Sequence, residues 1–195
     1  MRYETKGINE MPKWMYWVLA VAFAWLIWTN FLKPVPDLDQ LKTQQNVQII
    51  ELEKYEGSFR VLSKEDYHWG REAEFSPIDI AVGWGEMAKP QVYKHIDISQ
   101  SNRWYYWKVK NEPPISLREI TTHSANMHLV PANPSVASQM KKIKKDDLVY
   151  LKGSLIEIQA SDGWRWKSSL SREDTGNGAC ELMKVESIVW QGFVA

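Results

Sequence analysis

Residues 148–159, LVYLKGSLIEIQ, carry the strongest strand signal in the chain. Val149, Leu151 and Leu155 occupy odd positions, whereas Ile156 and Ile158 occupy even ones, so the apolar phase slips within the strand. A β-bulge reconciles such a slip, because one extra residue restores the alternation of the side chains. The turn dipeptide Asp162-Gly163 then predicts a return strand. The stretch therefore indicates a bent strand that enters a hairpin.

Other β-prone runs surround this strand, and one helix precedes it. The runs are residues 47–52, 59–62, 78–82, 104–109 and 182–189. The helix is predicted from Asn133 as its cap, Pro134 in its first turn and an apolar stripe of Val136, Met140 and Ile143. A helix before a bent strand and a hairpin fits a Greek-key barrel of the OB type. The predicted fold class is mainly β, either a small OB-like barrel or a β-sandwich, with one or two short helices.

A single transmembrane helix is predicted ahead of this domain. Residues 14–32, WMYWVLAVAFAWLIWTNFL, contain no charge and lie between Lys13 and Lys33. As a helix the run would span about 28 Å, close to the thickness of the bilayer hydrocarbon. We therefore expect a tail at residues 1–13, a membrane helix at 14–32, a linker at 33–46 and a mainly-β domain at 47–195.

Charge and cysteine content exclude some classes of function and favour one orientation in the membrane. Its 24 Lys and Arg residues balance 24 Asp and Glu residues, which argues against attachment to nucleic acid by overall charge. The single cysteine excludes an internal disulfide and a multi-cysteine zinc site. Three basic residues precede the apolar run and two follow it closely, which favours a cytoplasmic N-terminus. The expected location is the bacterial inner membrane, with the C-terminal domain in the periplasm.

The segment SPIDIAVGWGEM, residues 76–87, places Trp84 between two glycines. Glycine permits unusual backbone conformations and a close approach of another chain, so Trp84 is a candidate binding residue. The alternative is a turn whose tryptophan fills the core. The Lys-Ser/Thr pair of a phosphate loop is absent from the segment.

The segment ISQSNRWYYWKVK, residues 98–110, interleaves aromatic and basic side chains. Arg103, Trp104 and Tyr106 are candidate binding residues here. The pattern is typical of a stacking platform for single-stranded nucleic acid, if the domain is cytoplasmic. It is equally typical of a strand with a buried aromatic face.

The segment HSANMHLVPAN, residues 123–133, brings His123, Asn126 and His128 together in sequence. Two histidines can ligate zinc with a later acidic residue, but the spacing is not that of an HExxH motif. We therefore predict no metal site. The alternative roles are catalytic groups or hydrogen-bonded loop anchors.

The segment SSLSREDTGNGACE, residues 168–181, adds Arg172, Asp174 and Cys180. Arg172 and Asp174 are candidate binding residues. Cys180 would be the nucleophile of a Cys-His enzyme, with one of the two histidines as its base. Asn126 or Asp174 would orient that base. Glu181 opposes formation of the thiolate, and a buried structural cysteine is the alternative.

Together these four segments resemble a family of uncharacterised bacterial membrane-anchored proteins. The resemblance covers roughly residues 55–190. It implies a bacterial source and one domain behind an N-terminal membrane helix, and it implies no activity.

The sequence holds no complete catalytic or cofactor motif, so we predict no cofactor. The expected function is a non-enzymatic binding or accessory subunit of a cell-envelope complex, held by the membrane at residues 14–32 and by a protein partner. The alternatives are a Cys-His hydrolase or transpeptidase that acts on an envelope substrate, and a single-strand nucleic-acid binder.

Overall fold

The computed structural model describes residues 12–28, 37–171 and 180–192, in two units that divide at residues 34 and 35. The first unit contains one described helix, α1 (Lys13–Ile27). No side chain of α1 is buried, and Trp17 is the most exposed of its large apolar side chains.

The prediction of a transmembrane helix over residues 14–32 is wrong. The described helix α1, Lys13–Ile27, has 15 residues, and residues 29–32 of the predicted span lie outside the described residues. Within the described residues, no helix combines the length and the apolar character that a membrane crossing requires. The predicted location, an inner-membrane anchor with a periplasmic domain, is corrected by the same finding.

The second unit is built mainly from strands, which confirms the mainly-β prediction. Its strands are β1 (Val47–Asp66), β2 (Ile78–Gly83), β3 (Asp97–Ser101), β4 (Trp104–Lys108), β5 (Ser124–Pro131), β6 (Leu148–Ala160), β7 (Arg165–Lys167) and β8 (Glu181–Trp190). Its α-helices are α2 (Leu38–Gln45), α3 (Arg71–Phe75), α4 (Pro90–Tyr93), α5 (Leu117–Thr122) and α6 (Pro134–Met140). A 3-10 helix covers Gly85–Ala88.

The short helices outnumber the one or two that the sequence predicts. They have between four and eight residues each, too few turns for an apolar period to stand out. Helix α6 lies where predicted, and the side chain of Asn133 accepts a hydrogen bond from the backbone N–H of Val136. Helix α2 lies inside the predicted linker, and its Leu38 and Leu41 are buried.

Five strands close into a barrel. β1 pairs with β2, β2 with β5, β5 with β8, β8 with β6, and β6 pairs back with β1. Only the β5–β8 pair of this circuit is parallel. Helix α6 connects β5, the third strand of the circuit along the chain, to β6, the fourth. This strand order, with a helix at that position, is the arrangement of an OB-type Greek-key barrel.

Local irregularities let the strands bend around the barrel. β1 shifts its register against β6 between Glu51 and Glu53, as a bulge does in a strand that must curve. A second shift separates Lys152 from Gly153 in the β6–β8 pair. A Cβ atom on Gly153 would lie 1.9 Å from the carbonyl oxygen of Lys184. Glycine is therefore required there by the close approach of β8.

Three apolar clusters organise the domain. The first fills the barrel and includes the inward side chains of β2 and β5 together with Val136, Met140 and Ile143 of the α6 region. The second packs α2, Phe75 and Trp166 against the outside of β6 and β8. The third lies beneath the β3–β4 hairpin, around Met87 and Ile120. The barrel thus has an inner core and two outer layers.

Candidate functional site

A polar cluster lies on the outer face of β2 and β5. Because side chains alternate along a strand, the inward positions of β2 and β5 fill the barrel and Asp79, Asn126 and His128 point outward. In OB barrels the face of the second and third strands is the usual ligand surface. Here these three side chains are buried. The β3–β4 hairpin and β7 contribute the side chains that contact them.

Asp79 is the centre of this cluster. Its side chain has 0% exposure, and its Oδ1 accepts a hydrogen bond of 2.6 Å from Nη1 of Arg103. The Arg103 guanidinium stacks on the ring of Tyr67 at 3.7 Å and lies 5.6 Å from the ring of Trp166. The hydroxyl of Ser76 also contacts Oδ1 of Asp79, at 3.3 Å. The carboxylate is thus held by one cation between two aromatic rings.

The hairpin turn presents Arg103 in an uncommon backbone conformation. Ser101 pairs with Trp104, which leaves a two-residue turn, and Asn102 and Arg103 have φ values of 51° and 70°. A type I′ turn requires positive φ at both positions, which asparagine tolerates and arginine adopts only at a cost. The ion pair with Asp79 and the hydrogen bond from the Arg103 N–H to the Tyr67 hydroxyl, at 2.9 Å, offset that cost.

His128 is the second basic group beside Asp79. The two residues are directly opposite in the β2–β5 ladder, and Nδ1 of His128 lies 2.8 Å from Oδ2 of Asp79. The two atoms are not aligned for a hydrogen bond, and neither has another hydrogen-bond partner within the described residues. The imidazole packs against the Trp166 ring with centroids 5.0 Å apart. The pair becomes ionic when His128 is protonated.

Asn126 extends the cluster to the hairpin and to β8. Its Oδ1 accepts a hydrogen bond of 2.6 Å from Nε2 of Gln100 in β3. Its Nδ2 donates to the carbonyl oxygen of Arg103 at 3.0 Å and contacts the Cys180 sulfur at 3.8 Å. The asparagine therefore holds the hairpin rather than a catalytic base.

Cys180 lies in surroundings that suppress its reactivity. Burial raises the pKa of its thiol to about 11, and the negative charges of Glu181 and Asp79 also raise it, while the Asn126 contact lowers it. The thiol contacts the carbonyl oxygen of Arg103 at 3.9 Å. Among the described residues, no imidazole forms a hydrogen bond with this sulfur. A nucleophilic cysteine needs the opposite environment, because the thiolate is the reactive form.

His123 and Trp84 belong to a separate group. Nδ1 of His123 lies 3.2 Å from the carbonyl oxygen of Glu119, and its ring centroid is 6.1 Å from that of Trp84. Trp84 packs edge-on against Phe59 and contacts the barrel core. Gly85 has a φ of +55°, and the ring of His123 lies so close to its backbone that a Cβ atom there would be 3.1 Å from Cδ2 of His123. The indole of Trp84 thus lies against the core of the barrel.

The remaining predicted binding residues lie around the hairpin. Tyr106 is 52% exposed on the outer face of β4, and Trp104 is half-buried on the same face. Tyr105 and Trp107 alternate with them and pack on the third apolar cluster. Arg172 and Asp174 lie outside the described residues.

Within the described residues, no group of three or more His, Cys, Asp or Glu side chains is arranged to hold a metal ion.

A surface cleft of about 580 Å³ lies at the open end of the hairpin, where Asp97 and Val109 are among its lining residues. Its charged side chains are of both signs, and none of the predicted site residues lines it. The cleft is therefore separate from the polar cluster.

Four members of the cluster are absent from the sequence prediction, namely Tyr67, Asp79, Gln100 and Trp166. A signal existed for Asp79, because aspartate is depleted in strands and stands here between two isoleucines of β2. The other three come from a loop, a hairpin and a short strand that meet β2 only in the folded chain. No local pattern marks them.

No family profile, curated protein or solved structure matches this chain. A function is therefore proposed from the strand order and from the geometry of the residues described above.

Proposed function

We propose that the barrel domain is a non-enzymatic binding or accessory module, which recognises a protein partner through exposed aromatic side chains near the hairpin. The observation that carries the proposal is a contrast in exposure. Asp79 is 0% exposed, whereas Trp69 and Tyr106 are 77% and 52% exposed. The cell-envelope setting expected from the sequence depended on the membrane helix and is not part of the proposal.

The environment of the polar cluster supports a structural role for it. Arg103 pairs with Asp79, while His128 lies beside Asp79 and packs against the Trp166 ring. A substrate would need access to Asp79 and His128, and both side chains are buried. The raised pKa of the Cys180 thiol argues in the same direction against a Cys-His enzyme.

The exposed aromatic residues support the binding role. Trp69 lies in the loop between β1 and α3, which is one of the two loops that flank the ligand face of an OB barrel. Tyr67 of the same loop meets Arg103 of the hairpin turn, so the loop and the hairpin are neighbours. Tryptophan, tyrosine and arginine are the side chains most enriched at the energetic centres of protein interfaces.

Affinity purification of the tagged full chain from its native cells tests this function. We expect a partner to co-purify reproducibly with the wild-type chain, and to be lost with Trp69→Ala and with Tyr106→Ala. Val189→Ala is the matched control, because Val189 is 55% exposed on β8. A wild-type chain that is always isolated alone would contradict the proposal. Loss of cellular function in a folded Cys180→Ser variant would favour the enzyme instead.

A further inference from the structure

Within the described residues, one edge of the β3–β4 hairpin is unpaired. β3 and β4 form a sheet of their own, and β4 pairs with no strand other than β3 among the described residues. Ser101 and Trp104 flank the two-residue turn, so they form a hydrogen-bonded pair, and hydrogen-bonded pairs recur at every second position. Tyr106 therefore bonds to β3, whereas the N–H and C=O groups of Tyr105 and Trp107 point away from it.

Nothing within β4 blocks this edge. The β3–β4 register is continuous, without a bulge, and the strand contains no proline. Natural edge strands are commonly protected by bulges, prolines, charged side chains or a very short length, and the five residues of β4 are an ordinary strand length. The one lysine of β4, Lys108, is at its end rather than at its centre. The strand is therefore competent to pair with another strand.

We propose that the occupant of this edge is a second copy of the chain, which pairs antiparallel with β4 about a two-fold axis. The register that overlaps all five residues of β4 places Tyr106 opposite its own copy. Tyr105 then faces Trp107 of the partner subunit as a hydrogen-bonded pair. The two such pairs supply about four backbone hydrogen bonds.

The side chains of the outer face are self-complementary in this register. Trp104 lies opposite Lys108 of the partner subunit, at each end of the paired strands. A lysine beside an indole gains a cation–π contact, while like charges directly opposite would be destabilising. Tyr106 meets the partner's Tyr106 at the centre, and aromatic pairs stabilise such ladders. This complementarity favours a second copy over an unrelated strand.

The pairing would join the two hairpins into one sheet, whose outer face carries both copies of Trp104 and Tyr106. Such a sheet doubles the aromatic surface on one side of the assembly. The pairing does not depend on the proposed function, since a monomeric domain can also bind a partner through exposed aromatic side chains.

Disulfide trapping in the full chain tests the register. In a Cys180→Ser background, Tyr106→Cys should form a covalent dimer on mild oxidation. Directly opposed residues of a non-hydrogen-bonded pair have Cα atoms about 4.5 Å apart, within the range of a disulfide. Lys108→Cys is the matched control, because the two copies of Lys108 would be separated by about 13 Å along the strands. We expect little cross-linking from it.

Sedimentation velocity of the full chain with native Cys180 measures the dimer dissociation constant as a second test. A mild detergent is included because α1 is apolar. Tyr106→Lys places two ammonium groups opposite each other and should raise the dimer dissociation constant about tenfold or more. Ser99→Lys is the control, because Ser99 pairs with Tyr106 and adds the same charge to the same face one strand from the edge. It should leave the dimer unchanged.

Equal cross-linking of the two cysteine variants, or none from Tyr106→Cys, would overturn the inference. A monomeric wild-type chain, or equal loss of the dimer in both lysine variants, would also overturn it. Association through α1 is the same in every variant and cannot produce the expected difference. If cross-linking succeeds but no partner co-purifies, only the proposed function fails. If a partner co-purifies with a monomeric chain, only the dimer fails.

Discussion

Two groups of charged side chains lie on the outside of the same barrel, and burial separates them. Around Asp79, one carboxylate with 0% exposure pairs with Arg103 beneath the hairpin, and His128 lies beside it. Around Glu51, which is 41% exposed, Lys54 and Lys184 form an open network across β1 and β8. Glu186 joins that network at 3.5 Å from Lys184.

From this contrast we expect the depth of a charge, rather than the number of its partners, to decide how much it contributes to stability. Exposed ion pairs stabilise proteins by less than about 1 kcal/mol, because water and salt screen them. A buried charge that loses its partner costs several times more, since nothing else solvates it. The Asp79 cluster is therefore expected to hold the hairpin on the barrel, and the Glu51 network to contribute little to the fold.

The largest effect is expected from Asp79→Ala. The change leaves Arg103 without its partner under the hairpin and should lower the free energy of unfolding by about 3–5 kcal/mol. Glu51→Ala is the matched control and should cost about 1 kcal/mol or less. Urea denaturation of both variants measures the difference. Equal losses would show that the buried cluster does not hold the hairpin.

The reactivity of Cys180 gives the next largest effect. Its thiol pKa of about 11, raised by burial, makes the thiolate rare near neutral pH. Alkylation should be about 100-fold slower than at an exposed cysteine introduced by Ser99→Cys. Mass spectrometry after a timed exposure to iodoacetamide measures both rates, and they should converge in urea. Rapid alkylation of native Cys180 would return the Cys-His enzyme to consideration.

Double-mutant cycles compare the two clusters directly. Asp79→Ala with Arg103→Ala should reveal a coupling free energy of about 2 kcal/mol, as expected for contacting residues in a buried network. Glu51→Ala with Lys184→Ala should give about 0.5 kcal/mol, because that pair is screened. The four single variants and two double variants are compared by urea denaturation. A larger coupling in the exposed pair would reverse the comparison.

The smallest effect concerns pH. Hydrogen bonds from Lys184 and Lys54 lower the pKa of Glu51 from 4.5 to about 2. The folded-state pKa lies below the unfolded value, so this stabilisation is complete above about pH 4.5 and disappears as the pH falls to about 2. After screening, it amounts to a few tenths of a kcal/mol.

The test is the difference in unfolding free energy between wild type and Glu51→Gln, followed from neutral to acidic pH. The difference should shrink on acidification and at high salt. A difference that grows as the pH falls would contradict the assignment.

Local sequence patterns predict much of the fold, and the predictions that differ from the structure do so for physical reasons. The strand signal of residues 148–159 and the cap at Asn133 predicted β6 and α6 at nearly their observed positions. Alternation could not separate a barrel from a sandwich, because closure depends on which strands pair. The β1–β6 pairing links segments about a hundred residues apart. The apolar run at residues 14–32 predicted a membrane helix, but no helix within the described residues has the length and apolar character to cross a bilayer.

The candidate site was predicted only in part. Arg103, Asn126, His128 and Cys180 were marked by their chemistry, and they do meet on one face. Their role was not accessible, because Asp79 was needed to connect them and its burial depends on the hairpin. His123 belongs with Trp84 instead, since it caps the C-terminal end of α5 and its ring lies 6.1 Å from that of Trp84.

Local sequence was sufficient for the elements whose causes are local: the cap at Asn133 and the alternating strands of the barrel. Only the folded chain closed five strands into a barrel and laid the β3–β4 hairpin across β2 and β5. Propensity and capping act over a few residues, whereas burial depends on what covers a side chain. That difference is the reason the polar groups around Asp79 are enclosed in the folded domain while Trp69 and Tyr106 remain exposed.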